Sequence, residues 1–176
     1  MNKLTLYICM SLDGFIATKD DDLSWTEVVD REGEDYGYAA FTSSIDKYIV
    51  GRKTYDKVIS MVGEFPPAKQ FRCYVISRTR TGTEAGVTFY NGDIRDLVRE
   101  LKAEPGGNIY CDGGGEIVKL LMERDLIDQY IISVIPAILG DGKRLFHGGV
   151  GSQKIGLVSS REFPSGLVQL TYNVRR

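Results

Sequence analysis

The chain has 176 residues, 43% hydrophobic and 26% charged, with a formal charge of −2. That is enough chain for one domain with a real core, and it argues against a disordered polymer. The near-neutral balance without a long basic run excludes a nucleic-acid-binding surface of the usual electrostatic kind, and no apolar run approaches the ~18 residues of a membrane span.

Residues 4–10 (LTLYICM) form a short apolar run, predicting a buried strand. A turn follows at 11–14, a short extended piece at 15–17 and a polar loop at 19–22. Residues 26–43 carry a weak helical pattern interrupted by Gly33 and Gly37. Residues 47–50 predict a second strand, ended by Gly51, with a helix over 53–60 and a break at 65–67. Strands are predicted at 72–77 and 87–90. Asp93 is placed to cap a helix over 94–103, where Ile94, Leu97, Val98 and Leu101 share one face, and Gly106-Gly107 is expected to stop it. A fifth strand at 108–111 leads to Gly113-Gly114-Gly115 and a helix over 116–123. A sixth strand covers 128–135, a loop 136–143, and strands at 155–158 and 168–174 form an expected hairpin.

Strands alternating with helices predict an α/β fold with a mainly parallel sheet covered on both faces and antiparallel strands at the C-terminus. No repeat, low-complexity tract or linker interrupts residues 1–176, which read as one domain. Cys9, Cys73 and Cys111 are odd in number and far apart, which supports neither a disulfide framework nor a zinc motif. Buried free thiols in a reducing, cytoplasmic compartment are expected.

Ligands of α/β sheets bind outside the carboxyl ends of the strands. Three corners fall there: Gly51, Ser77-Arg78-Thr79 and Gly113-Gly114-Gly115. Two of them open helices, whose free N–H groups and partial positive charge suit a phosphate. Arg52 and Arg78 adjoin two corners and could clamp a monophosphate such as the 2′-phosphate of NADP. Neither G-x-G-x-x-G nor the Walker A pattern is present.

Ser11-Leu12-Asp13-Gly14-Phe15-Ile16-Ala17, Gly51-Arg52-Lys53-Thr54-Tyr55, Val75-Ile76-Ser77-Arg78-Thr79 and Gly113-Gly114-Gly115-Glu116 occur in an order that resembles the dihydrofolate reductases. The opening motif and the 136–142 segment before Leu145-Phe146 are more similar to the reductase domain of bifunctional riboflavin-biosynthesis deaminase-reductases. The resemblance implies a three-layer α/β/α fold with about eight sheet strands and NADPH across the carboxyl edge. Gly51, Arg52 and Thr54 would meet its phosphates. Ser77 and Arg78 would hold the 2′-phosphate, and Gly113, Gly114, Gly115 and Glu116 the pyrophosphate. Ile16 and Ala17 would line the nicotinamide pocket, and Trp25 would match the tryptophan of the active-site loop.

The resemblance further implies an NADPH-dependent reductase of a pterin- or pyrimidine-type heterocycle, of the riboflavin kind, with dihydrofolate reductase and a non-catalytic NADPH-binding module as alternatives. A homodimer is also implied. A folate-type ring-binding acid falls on Asp35 counting back from Gly51, or on Asp30 counting forward from Trp25. Asp30, Glu34 and Asp35 could equally form an exposed acidic face. Such an acid should sit by an apolar wall, for which Leu6, Ile8 and Ile132 are available, and so hold its proton near neutral pH. Ser133 matches the strand hydroxyl that partners the acid, and Asp112 matches the riboflavin-type acid before the glycine run. The arginine that grips the folate tail is replaced by Phe71, with Lys69 and Arg72 near. The first-helix arginine of the riboflavin enzymes is absent from Phe41-Thr42-Ser43-Ser44. His147, in a glycine-rich loop, reads as an exposed residue without a catalytic role.

Overall fold

The computed structural model describes residues 1–176. Its centre is a nine-stranded sheet in the order β10-β11-β8-β1-β7-β3-β4-β6-β5. The inner strands β1 (Leu4–Ser11), β3 (Ile45–Gly51), β4 (Arg72–Ile76), β6 (Val87–Tyr90), β7 (Asn108–Gly113) and β8 (Gln129–Ile135) run parallel. Antiparallel strands finish both edges: β5 (Gly82–Glu84) on one, β11 (Val168–Val174) and β10 (Ile155–Glu162) on the other. A separate ribbon pairs β2 (Phe15–Ala17) with β9 (Lys143–Arg144).

Alternation along the strands divides the core. On β1, Leu4, Leu6, Ile8 and Met10 face an aliphatic cluster shared with Ile109 and Cys111 of β7. Helices α3 (Ile94–Ala103) and α4 (Gly115–Met122) close that face with Ile94, Leu97, Val98, Leu101, Ile117, Val118 and Leu121. Burying each such side chain contributes about 1.5–3 kcal/mol, and this anchorage fixes the start of α4 at the sheet edge. The opposite face is aromatic. Tyr48, Tyr55, Phe65, Phe71, Phe89 and Tyr110 pack there beneath α2 (Arg52–Val62), and Phe41 of α1 (Tyr38–Thr42) joins them.

Asp93 caps α3 as expected, its carboxylate accepting from Arg95 N at 2.8 Å. The helix ends at Ala103, ahead of Pro105, whose predecessor avoids helical geometry; the Gly106-Gly107 pair comes too late to stop it. The single weak helix expected over 26–43 is not there. A 3-10 segment spans Ser24–Val29, and α1 begins only after Gly37. Gly33 and Gly37 take left-handed φ of 77° and 82°, which no helix can carry. Strand β5 carries no sequence signal, because GTE has no alternation to read, and β10 extends past residue 158 through exposed polar residues.

Candidate functional site

The three predicted corners all lie at the carboxyl edge, and two of them touch. A Cβ on Gly51 would sit 3.7 Å from the carbonyl oxygen of Gly113. Thr54, in the first turn of α2, accepts a hydrogen bond from Gly114 N at 3.1 Å. Gly51 and Gly114 are the N-caps of α2 and α4, and neither helix has a side-chain cap. Two helix starts with uncapped N–H groups therefore open beside one another, an arrangement suited to an anion. Gly115 has no room for a side chain: its Cβ would lie 2.5 Å from both Arg144 O and His147 Nε2.

At the β4 corner, buried Ser77 turns the chain by accepting from Thr79 N (3.2 Å) and Arg80 N (2.9 Å). Arg78 is exposed and makes no ion pair, so its guanidinium is free to take a phosphate. Arg52 is not equally free, because Asp56 one turn along engages it. The expected symmetric clamp is thus lopsided. Arg80 adds a third cation, two residues beyond Arg78. It lies 3.8 Å from the Phe89 ring centroid, held by Glu84 at 2.9 Å and Asp56 at 3.4 Å. Glu116, in the first turn of α4, pairs with Lys53 of α2 at 2.7 Å.

Ile16 reaches the glycine corner, its Cδ1 3.7 Å from where a Gly114 Cβ would stand. Ala17 is buried where β2 pairs with β9. Asp13 explains why the 11–17 and 136–142 motifs occur together. Its carboxylate accepts from Ser11 Oγ (2.6 Å), Leu139 N (3.1 Å) and Gly140 N (2.7 Å), binding one loop to the other. Trp25 packs with Val29, Ile135 and Leu167 near the end of β8, and its indole N–H has no partner.

The three predicted acid-site residues separate. Asp112 follows Cys111 on β7 and points to the aromatic face. Tyr48 donates to its Oδ2 at 2.5 Å and Tyr110 to its Oδ1 at 2.7 Å. The residue is half-buried and its carboxyl group lies deep within the protein. Burial raises its pKa, and the two tyrosine hydroxyls only partly oppose that. Burial and the neighbouring carboxylate likewise raise Tyr48 and Tyr110.

Asp35 behaves in the opposite way. It is exposed, accepts from Ala39 N (2.9 Å) and Gly37 N (2.8 Å), and these bonds lower its pKa. The expectation of a proton-holding acid at Asp35 is corrected: the side chain holds the start of α1. Asp30 is exposed as well. Both line an open recess of about 650 Å³ with Arg31, Glu32, Glu34, Tyr36 and Tyr38. Ser133 is buried, and its partner is Gln169 Nε2 at 3.1 Å, not an acid. The proposed apolar wall of Leu6, Ile8 and Ile132 belongs to the aliphatic face, across the sheet from Asp112. Alternation along YICMS and IYCD could have shown this, since Leu6 registers with Cys111, not with Asp112.

A mostly parallel sheet whose strand ends open into glycine-led helices, closed by a C-terminal antiparallel pair, is the architecture of the dihydrofolate-reductase-like α/β domains. More particularly, the chain belongs to the RibD C-terminal domain family, which matches residues 2–169. It is 39% identical to the Bacillus subtilis protein YwjB over 171 residues, 97% of each chain. A putative riboflavin biosynthesis protein from Shewanella sp. PV-4 shares the fold at TM-score 0.89 and 30% identity over 99% of both chains. The Thermotoga maritima diaminohydroxyphosphoribosylaminopyrimidine deaminase/5-amino-6-(5-phosphoribosylamino)uracil reductase superposes at TM-score 0.75 with 16% identity. The match covers 99% of this chain and 57% of that one. No helix is long and apolar enough to cross a membrane.

Proposed function

We propose that the protein is an NADPH-dependent reductase of a pyrimidine- or pterin-type heterocycle, of the 5-amino-6-(5-phosphoribosylamino)uracil reductase kind. The observation that carries this reading is the paired start of α2 and α4, locked by Thr54 and Gly114, beside the unpaired Arg78. The cradle fits a dinucleotide. Glycine backbone lies where side chains would obstruct it, the two helix N-termini would hold the pyrophosphate, and Arg78 with the Ser77 turn would be available to a 2′-phosphate. Bound there, the cofactor supplies the hydride. Asp112 is the acid of this reading: its raised pKa keeps a proton for the ring, and Tyr48 and Tyr110 fix its orientation.

The exposed, backbone-bonded Asp35 speaks against the dihydrofolate alternative. The deciding experiment follows NADPH oxidation with 5-amino-6-(5-phosphoribosylamino)uracil, its dephosphorylated form and dihydrofolate. Turnover of either pyrimidine supports the proposal. Binding of NADPH without turnover of any would replace it with a cofactor-binding module. We also propose a homodimer in the cytoplasm. The eight-residue edge strand β10, with Ile155, Leu157 and Val158 exposed, supports the dimer; the three free thiols support the compartment. A monomer in sedimentation at micromolar concentration would overturn the dimer.

A further inference from the structure

A carboxylate at a helix start is favourable to the helix but opposes any other anion arriving there. Glu116 is such a carboxylate, and it sits where the proposed pyrophosphate would bind. Its partner Lys53 comes from the first turn of α2, so the 2.7 Å ion pair spans the two converging helix starts. Two more basic groups act on the same carboxylate through space. Arg78 and His147, after Lys53, favour its charged form, and the His147 ring rests against Gly115. The carboxylate thus already engages Lys53, a base a phosphate would use. Both Glu116 and Lys53 are 67% exposed, so the pair can break at small cost.

We infer that Glu116 stands in for the cofactor's pyrophosphate in the ligand-free protein, occupying Lys53 until the phosphates displace it. Glu116 is then a residue that limits nucleotide affinity and does not add to it. This rests on the cofactor reading given above and reverses the role the family resemblance implied for Glu116. Because the pyrophosphate is common to both nicotinamide dinucleotides, the effect applies to NADPH and NADH alike.

The test measures NADPH and NADH affinity by isothermal titration for the wild type, Glu116→Gln, Lys53→Met and the double variant, with thermal unfolding of each recorded. Glu116→Gln should bind both nucleotides roughly two- to fivefold tighter, the scale of an exposed ion pair. Lys53→Met should weaken binding, and more so in the Glu116→Gln background, where the lysine is free. The double variant should bind more tightly than Lys53→Met alone, a comparison that stands even if Glu116→Gln folds poorly. Unchanged or weaker binding on removal of Glu116 would overturn the inference and leave the cofactor reading intact. It would mark the carboxylate as a helix-start stabiliser only. Failure of the wild type and every variant to bind either nucleotide would overturn the cofactor reading, and this inference with it.

Discussion

The two faces of the sheet are built from different chemistry. The α3/α4 face is aliphatic, with Leu4, Leu6, Ile49, Ile109 and Leu121 having no accessible surface. On the other face six tyrosine and phenylalanine rings, Tyr7, Phe41, Tyr48, Phe65, Phe71 and Tyr110, form a chain of contacts around β1, β3 and β7. Polar groups lie between those rings: Asp112, Ser133 and Gln169, the last donating to Tyr7, Ser133 and the Tyr36 carbonyl. Aliphatic packing needs no partner beyond volume. A buried carboxylate or amide needs every bond made, and tyrosine supplies apolar bulk and a hydroxyl together. One face therefore carries stability and holds α4 in place, while the other carries groups that can do chemistry.

That division breaks most sharply at Asp112. Asp112→Asn keeps the shape but removes the proton, so turnover on a confirmed substrate should fall by ~10²–10⁴-fold. In the wild type, turnover should decline as pH rises through the raised pKa of Asp112. Stability carries the same sign. A carboxyl with a raised folded pKa binds its proton more tightly in the fold than in the unfolded chain. Stability is therefore greatest where it is protonated and falls as pH climbs from the ordinary carboxylate range through the raised value. Denaturant unfolding against pH should show that slope in the wild type and less of it in Asp112→Asn. An Asn variant with full activity would remove Asp112 from the chemistry.

The aliphatic face should answer with stability alone. Leu121→Ala, at a position without accessible surface, should cost about 2–5 kcal/mol in denaturant unfolding. NADPH affinity below the transition should be kept, because Leu121 lies two turns from the α4 start. A loss of affinity matching the loss of stability would show that the two faces are not separable.

How much of this was legible depended on what each residue needs. The inner strands and α3 could be read because their neighbours repeat a period: Leu4, Leu6 and Ile8 on one, Ile94, Leu97, Val98 and Leu101 on the other. Gly51, Ser77 and Gly113-Gly114-Gly115 could be placed at strand ends for the same reason. Residues 26–43 could not, because Gly33, Tyr36 and Gly37 all adopt positive φ in a segment whose composition alone suggested a helix. Nor could the surroundings of the acids. Asp35 and Asp112 look alike in a sequence, and only the β3–β7 register, which sets Tyr48 beside Tyr110, encloses one of them. His147 reaches Gly115 through a loop whose path has no periodic signal.

The cations at the carboxyl edge sharpen the comparison on a smaller scale. Arg78→Ala should weaken NADPH by about tenfold, the lower range for a charge-assisted bond, while NADH changes little. Arg52→Ala should do less, since Asp56 already engages that guanidinium. Equal losses for the two variants would restore the symmetric clamp. Equal affinity of the wild type for NADPH and NADH would remove the 2′-phosphate site.

The smallest effect is expected at Asp35, where the acid is structural. Its Oδ1 accepts from Gly37 N and its Oδ2 from Ala39 N, satisfying donors at the start of α1; an asparagine there has one acceptor oxygen and keeps only one of the two bonds. Asp35→Asn should therefore be silent in turnover and in NADPH affinity, with a modest loss of stability from the one bond it gives up. Asp35→Ala removes the acceptor and should loosen α1, which carries Phe41 against Tyr7 at 4.5 Å between centroids. Because the folded pKa of Asp35 is lowered, its contribution is present above the ordinary carboxylate range and is lost as pH falls through the lowered value. Amide exchange at residues 37–42 should thus quicken in acid for the wild type and at all pH values for Asp35→Ala. If Asp35→Asn instead reduced turnover as far as Asp112→Asn does, the proton would come from the recess side of α1, and the aromatic face would be a core like the other.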